Sequence, residues 1–300
     1  MHIPLTYLPI HITYRCSKSY SIPYYIGDVL RDALLYAFSN IKLDNNTLLS
    51  ILDRKIEIPY KDSTIPIARK GFALDISTII QQNYTAGEKL QFSMTLFGDV
   101  CHHYKSIIEA LQELRWYKQD DSPYFVLEHI QTTHPDYGIQ QLYPHIPQQI
   151  HLANMATHWQ EAAPDYKRLT MHFITPTVLD ESGKYNGTYA LRTIIEKGLQ
   201  RLVELSLLYG DNPLANYEAY RQYTASIYKQ VLHIVNLAHV QWKRHSFPGQ
   251  QHSTVTISGM VGHIQWYGDF TVLHPILQVL EIIHVGKHTS YGFGKVQLRY

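Results

Sequence analysis

The stretch GEKLQFSMTLFGDVCHHYKSIIEALQEL, Gly87 to Leu114, changes period once, at Gly98-Asp99. Before that point Leu90, Phe92, Met94 and Leu96 recur every second residue, which puts them on one face of a strand. After it Ile107, Ile108, Leu111 and Leu114 fall on one stripe of a helix. Working outward, GFALDISTII (Gly71–Ile80) is rich in β-branched and apolar residues and reads as another strand. PYFVLEHI (Pro123–Ile130) reads as one more. Nearer the start, Ile10, Ile12 and Tyr14 alternate with His11, Thr13 and Arg15. GDVLRDALLYAF, from Gly27, has helical spacing through Val29, Leu30, Ala33, Leu34 and Ala37. Strand, helix, two strands, helix, strand is the order of a ferredoxin-like unit. Lys42 to Asn46 fits no element cleanly, although Asp44, Asn45 and Asn46 suit a turn.

The stretch from about Pro135 to Pro164 is rich in Pro, Gln and His and reads as a linker or excursion. Beyond it the order of elements roughly repeats. RLTMHFITPTVL is a strand stopped at Pro176, since proline has no N–H for the ladder. A long amphipathic helix follows, with Leu191, Ile194, Ile195, Leu199, Leu202 and Leu205 in register. Thr254 to Trp266 reads as strand interrupted by Gly259 and Gly262, and Pro275 opens a last helix through Ile276, Leu280 and Ile283. The expectation is an α+β chain of two ferredoxin-like domains with antiparallel sheets, residues 1–160 and 161–300.

Composition narrows the function. The chain has 300 residues, 45% hydrophobic and 17% charged, with a formal net charge of +1. Nothing here marks a bulk polycation, so any nucleic-acid site must be local. The 24 tyrosines and 18 histidines suit stacking and hydrogen bonding to RNA, although tyrosine is also a strand residue. Two cysteines, Cys16 and Cys101, make neither a disulfide framework nor a thiolate zinc site, and a reducing cytoplasm is the expected home. MHIPLTYLPI lacks the pattern of a signal peptide, and no apolar run approaches the roughly 18 residues of a membrane helix, so no membrane partner is expected.

The strongest local signal is HVGKHTSYGFGK, His284 to Lys295. Its glycines permit positive φ and close backbone approach. Its lysines supply charge for phosphate. It is no P-loop: Thr289 stands where that motif needs glycine, and Val296 follows Lys295 in place of Ser or Thr. A dinucleotide fingerprint would have to open a helix, and the chain ends too soon. The plain alternative is a glycine-rich turn before a final strand.

Together with GDVLRDAL, YTAGEKLQFSMTLFGD, FITPTVL, QRLVELSLLYG and SGMVGHIQWYGDF, this loop makes the chain resemble the RAMP superfamily. The likeness is greatest to the CRISPR-associated endoribonucleases that cut precursor repeat RNA. It extends from about residue 27 to the C-terminus. The resemblance implies two tandem ferredoxin-like domains with RNA gripped by the glycine-rich loop. It implies cleavage without metal or cofactor, the 2′-hydroxyl attacking its own phosphate to leave a 2′,3′-cyclic phosphate and a 5′-hydroxyl. CRISPR repeat RNA is the implied partner, with subunits of a CRISPR effector complex as further ones. A non-catalytic RNA-binding subunit of such a complex is the alternative.

That chemistry needs a base, an acid and cations on the phosphate. Histidine suits either proton-transfer role, since its free pKa is about 6.5. The candidates are His284 at the mouth of the loop, Tyr24 before the first helix, and His245 in WKRHSF. For RNA contacts they are Lys18, Arg31, Arg244, Gly286, Lys287, Gly292, Gly294 and Lys295. Each has a plainer reading: His284 as a helix C-terminal histidine on the macrodipole, Tyr24 as packing, Arg244 and His245 as a solvated turn, Arg31 as structural. His284 and His288 have the i, i+4 spacing of zinc ligands, but Gly286 argues against a helix there, and no metal is expected. The chain departs from the family in two places. Asp32 follows Arg31 where glycine is usual, and no histidine lies between His11 and His102, where the family often has a catalytic one.

Overall fold

The structure is a computed structural model. It describes residues 5–23, 25–43, 46–60, 63–114, 124–145, 147, 149–160, 167–179, 189–210, 235–248 and 254–300. The side chains of 59, 60, 63, 159, 160, 235–237, 239–248 and 254–256 lie outside that description. The chain divides into two compact units, Leu5–Ala153 with Leu208–Asp211, and Asn154–Leu207 with Asn212–Tyr300. The expected break near Pro164 falls outside the described residues.

In the first unit β1 (Thr6–Cys16) leads through β2 (Tyr20–Ser21) to α1 (Gly27–Asn40). A small hairpin, β3 (Lys42–Leu43) and β4 (Asn46–Thr47), precedes α2 (Leu48–Leu52). Next come β5 (Asp53–Tyr60), β6 (Ser63–Lys70), β7 (Phe72–Asp75), β8 (Asn83–Tyr84) and β9 (Lys89–Phe97). α3 (Tyr104–Gln112), β10 (Phe125–His134), β11 (Gly138–Tyr143) and β12 (Ala153–Asn154) complete it. The main sheet runs β11-β10-β1-β9-β7, with β12 also pairing β1. Four of its strands, β10-β1-β9-β7, have the antiparallel order of a ferredoxin-like fold, and β11 extends it beyond β10.

The alternation in β9 does what its sequence dictates. Leu90, Phe92, Met94 and Leu96 are buried, and their partners on β1 are Tyr14, Ile12, Ile10 and Leu8. The Tyr14 hydroxyl, buried beneath α3, donates to the Leu111 carbonyl at 2.6 Å, and burial raises its pKa. The strand read over Gly71–Ile80 is shorter. Asp75 ends it, because Oδ1 accepts from the Ser77 N–H at 3.0 Å and from its hydroxyl at 2.6 Å, closing an Asx turn.

Two differences from the sequence reading stand out. The region taken as a linker holds strand β11, whose Leu142 is fully buried. The antiparallel hairpin β5–β6 has no counterpart in the basic ferredoxin pattern. Tyr209 holds its root: the hydroxyl oxygen lies 2.9 Å from the Leu52 carbonyl and 2.7 Å from that of Arg69, and accepts the Arg54 N–H at 3.1 Å.

The second unit contains α4 (Met155–Gln160), β13 (Arg168–Thr177), α5 (Leu191–Tyr209, its last two residues in the first unit), β14 (Val235–Pro248), β15 (Thr254–Tyr267), α6 (His274–Ile283) and β16 (Val296–Arg299). Its sheet order, β14-β15-β13-β16, is again ferredoxin-like and antiparallel. β13 ends one residue past Pro176. β15 runs unbroken through both glycines, and Gly259 marks the place where the chains crowd: a Cβ there would lie 2.6 Å from Pro176 Cβ. α5 and α6 also meet at a glycine, since a Cβ on Gly198 would fall 2.1 Å from Leu280 Cδ2. Among the described residues no helix is long and apolar enough to cross a membrane.

Candidate nucleic-acid interface

The glycine loop is laced to the end of β13 by backbone bonds. Val285 N–H donates to the Gly294 carbonyl at 2.8 Å, Lys287 N–H to Val178 at 2.9 Å, and Gly294 N–H to Pro176 at 2.9 Å. Lys295 N–H donates to Thr175 Oγ1 at 2.9 Å, and its carbonyl accepts the Ile174 N–H at 2.9 Å. Three chain segments therefore lie backbone against backbone. A Cβ on Gly286 would sit 2.3 Å from the Val178 oxygen, and one on Gly294 2.1 Å from the Val285 oxygen. Both positions also have positive φ, +87° and +78°. Between them Thr289–Tyr291 makes a single tight turn, flanked by left-handed His288 and Gly292.

The helix end that launches the loop is fixed from α5. Arg201 is buried, and its Nε donates to the Ile283 carbonyl at 2.8 Å, satisfying one of the orphan carbonyls at the end of α6. His284 follows in a strained conformation, φ +62° and ψ 159°, and is 1% exposed. Its Nδ1 lies 3.3 Å from the Phe293 carbonyl. A carbonyl only accepts, so Nδ1 is the protonated nitrogen in that contact. His284 thus ties the two ends of the loop together from inside.

The two loop lysines differ. Lys287 is half-buried. Lys295 Nζ lies 3.4 Å from the Glu281 carbonyl. The Glu281 carboxylate accepts the Leu298 N–H at 2.7 Å. Burial raises its pKa, against the lowering effects of that hydrogen bond and of Lys295.

Arg244 and His245 lie on β14 rather than in a turn, with side chains outside the described residues. Their Cα partners are Ser258 and Ile257, so the two adjacent positions address opposite faces of the β14–β15 ribbon.

Lys18, Tyr24 and Arg31 belong to the first unit. Tyr24 lies outside the described residues. Lys18 Nζ sits 4.2 Å over the Tyr124 ring, and Tyr20 meets the same ring at 4.4 Å between centroids. Arg31 Nη1 is 2.8 Å from Asp32 Oδ1. In the same first turn Asp28 is partly desolvated, which raises its pKa. Burial, with Asp28 nearby, also pushes the Tyr25 phenol up. Among the described residues no group of three His, Cys, Asp or Glu side chains is placed to hold a metal ion.

Sequence reasoning missed the role of Arg201, which reads as one polar residue on an amphipathic helix. It also missed the absence of any carboxylate from the second sheet, which was countable once its strands were known.

Residues 171–296 match the family model described as CRISPR-associated endoribonuclease Cas6. A second family model, described as an N-terminal domain, matches residues 54–155. No curated protein matches the chain. Among solved structures, a Cas6 product complex is similar over 98% of this chain and 100% of its own, at TM-score 0.57 and 17% identity. A Thermus thermophilus Cas6 is similar over 98% and 99%, at TM-score 0.55 and 15% identity. A chain of a partial Cas6-RT-Cas1–Cas2 complex is similar at TM-score 0.63 and 11% identity, over 99% of this chain but 46% of that one. This chain therefore spans less than half the length of that relative. The structural likenesses speak to fold, and the family match to the second unit and its glycine loop. Through that match residues 171–296 are similar to CRISPR-associated endoribonuclease Cas6.

Proposed function

We propose that the chain is an endoribonuclease that cuts CRISPR repeat RNA without a metal, by attack of the 2′-hydroxyl on the adjacent phosphate. The products are a 2′,3′-cyclic phosphate and a 5′-hydroxyl. The observation that carries this reading is the glycine loop, held rigid against β13 within the segment that matches the endoribonuclease family. Lys287 and Lys295 are the phosphate cations of the loop, and Lys18, Arg31 and Arg244 are further RNA contacts, each on its own unit. The close packing at Gly286 and Gly294 supports a fixed loop backbone, so that little ordering remains to be done when RNA arrives.

The proton-transfer groups come from His284, Tyr24 and His245. The burial of His284 and its contact with the Phe293 carbonyl support a positioning role for that ring. They shift the weight of acid and base catalysis to Tyr24 and His245. The test is cleavage of labelled repeat RNA with EDTA present, beside a substrate carrying a single 2′-deoxy nucleotide before the cut. The first should be cut and the second should resist. Loss of cutting in EDTA, or cutting of the deoxy substrate, would overturn the mechanism.

The second reading is a non-catalytic RNA-binding subunit, favoured by the same burial of His284. It predicts binding with no cleavage under any condition. Under either reading the partners are proteins of CRISPR complexes. A relative of this fold occurs in a Cas6-RT-Cas1–Cas2 complex, and an assembly of that kind is the one to test by co-purification.

A further inference from the structure

The turn that joins β10 to β11 carries a cluster of rings that the chemistry proposed above leaves unused. The Tyr137 ring stacks on His151, with centroids 3.9 Å apart and planes inclined by 20°. His134 lies 4.6 Å from Tyr137 and 6.2 Å from His151. These three separations form a nearly right-angled triangle at Tyr137. His134 therefore stands at the edge of the tyrosine ring, and His151 covers one of its faces. The second face is left to solvent, and Tyr137 is 57% exposed. All three residues belong to the first unit.

The cluster is held in place by its own turn. His134 is buried, and its Nδ1 accepts the Asp136 N–H at 3.1 Å. In the neutral ring the proton is then on Nε2, and no group among the described residues accepts from it. Gly138, the residue after Tyr137, has φ +67°, and a Cβ there would meet nothing within 4 Å. The turn thus has the left-handed glycine it needs, with open space next to the tyrosine in the chain.

Charge says what kind of ligand fits. From Gln131 to Asn154 the chain has no Lys or Arg and a single acid, Asp136. A phosphate finds no cation within this segment. What the segment offers is a flat ring with imidazole and amide side chains around it in sequence, and these suit the face and edges of a nucleobase.

We propose that the open face of Tyr137 is a stacking site for one unpaired base of the RNA, on the other unit from the glycine loop. The proposal rests on the endoribonuclease reading for the identity of the nucleic acid. Stacking of this kind tolerates any sequence, because every base has a π-face. His151 against one face and His134 at the edge fix the tyrosine before RNA arrives, so little side-chain freedom is lost on binding.

The probe is repeat RNA 2′-O-methylated throughout, which attack by a 2′-hydroxyl cannot cut. A set of copies carries one abasic nucleotide each, at successive unpaired positions. Affinity is read by fluorescence anisotropy at several salt concentrations. Tyr137→Ala and Tyr137→Leu should each bind about five- to a hundredfold more weakly. Their salt slope should match wild type, since no phosphate contact is lost, and the exposure of the ring leaves the unfolding temperature unchanged. Tyr137→Trp should bind as wild type does. One abasic copy should lose a similar factor with wild type and nothing further with Tyr137→Ala. Wild-type affinity in both the alanine and leucine variants, or a loss that comes with a shallower salt slope, would overturn the proposal. So would the lack of any coupled position, which would assign the ring to packing or to a protein partner. Unmodified repeat RNA, given to the same preparations, separates the two readings. A coupled base without cleavage sinks the endoribonuclease and leaves the stacking site standing. Cleavage without a coupled base sinks the stacking site alone.

Discussion

Replacing Gly294 with Ala tests whether backbone contact is what fixes the loop. At φ +78° an alanine is strained, at a cost of about 1–2 kcal/mol. The added Cβ would also lie 2.1 Å from the Val285 oxygen, with Val285 N and C at 3.0 Å. No side-chain rotation relieves that overlap, because every atom it meets is backbone. Displacement would strain the paired bonds from Val285 to Gly294 and from Gly294 to Pro176, adding about 1–3 kcal/mol if one group is left unsatisfied. Gly87→Ala is the control. Its φ is +93°, but nothing lies within 4 Å of the new methyl. Gly87→Ala should therefore cost about 1–2 kcal/mol and Gly294→Ala about 2–5. Thermal unfolding should show a fall of about 2–4 °C per kcal/mol, and repeat-RNA affinity should fall in Gly294→Ala alone. A Gly294→Ala protein no less stable than Gly87→Ala, with full RNA affinity, would refute the reasoning.

Lys287→Ala with Lys295→Ala should weaken RNA binding and lower the slope of log affinity against log salt by about one unit per lost contact; an unchanged slope removes the loop as the phosphate clamp. If His284 transfers a proton, His284→Ala should slow single-turnover cleavage by about a hundredfold or more with little change in binding or stability. If it positions the loop, the same change should lower the unfolding temperature and the affinity together, while Tyr24→Phe or His245→Ala carries the rate loss. Glu281→Gln keeps the acceptor for the Leu298 N–H and removes a charge that burial disfavours. The folded protein holds the Glu281 proton more tightly than the unfolded chain, so wild-type stability falls as pH rises from the ordinary Glu pKa through the raised one. Denaturant titrations should show that fall flattened in Glu281→Gln.

Much of the fold was legible because the strands bury one face. In β9 and α3 the change from a two-residue to a helical period marks the junction, and Leu90, Phe92, Met94, Ile107, Ile108 and Leu111 are all buried. The hairpin β5–β6 was not legible for the opposite reason. Ile56, Ile58, Ile65 and Ile67 alternate correctly, but charges and prolines surround them and none of the four is buried. The strand β11 was hidden by its composition: Gln and Tyr between glycine and proline read as a connector, and only Leu142 is deeply buried. WKRHSF was ambiguous because a ribbon strand can carry consecutive polar residues on its two faces.

The candidate site was legible in part, and the loop shows where the physics of sequence stops. Its glycines were read as room for a phosphate. Gly286 and Gly294 serve another need, because each lies against a carbonyl of a neighbouring segment, Val178 and Val285. The two uses are compatible. Backbone packing on the inside, with Arg201 on the helix end and His284 between the loop's ends, fixes the backbone from which Lys287 projects. A histidine beside lysines and glycines looks catalytic in one dimension because residue type is all that is visible there. In three dimensions its 1% exposure makes the identity of the proton carrier a question about Tyr24 and His245, and that of the phosphate clamp a question about lysines. A variant series that separates rate from affinity therefore discriminates between these roles where a simple loss of activity does not.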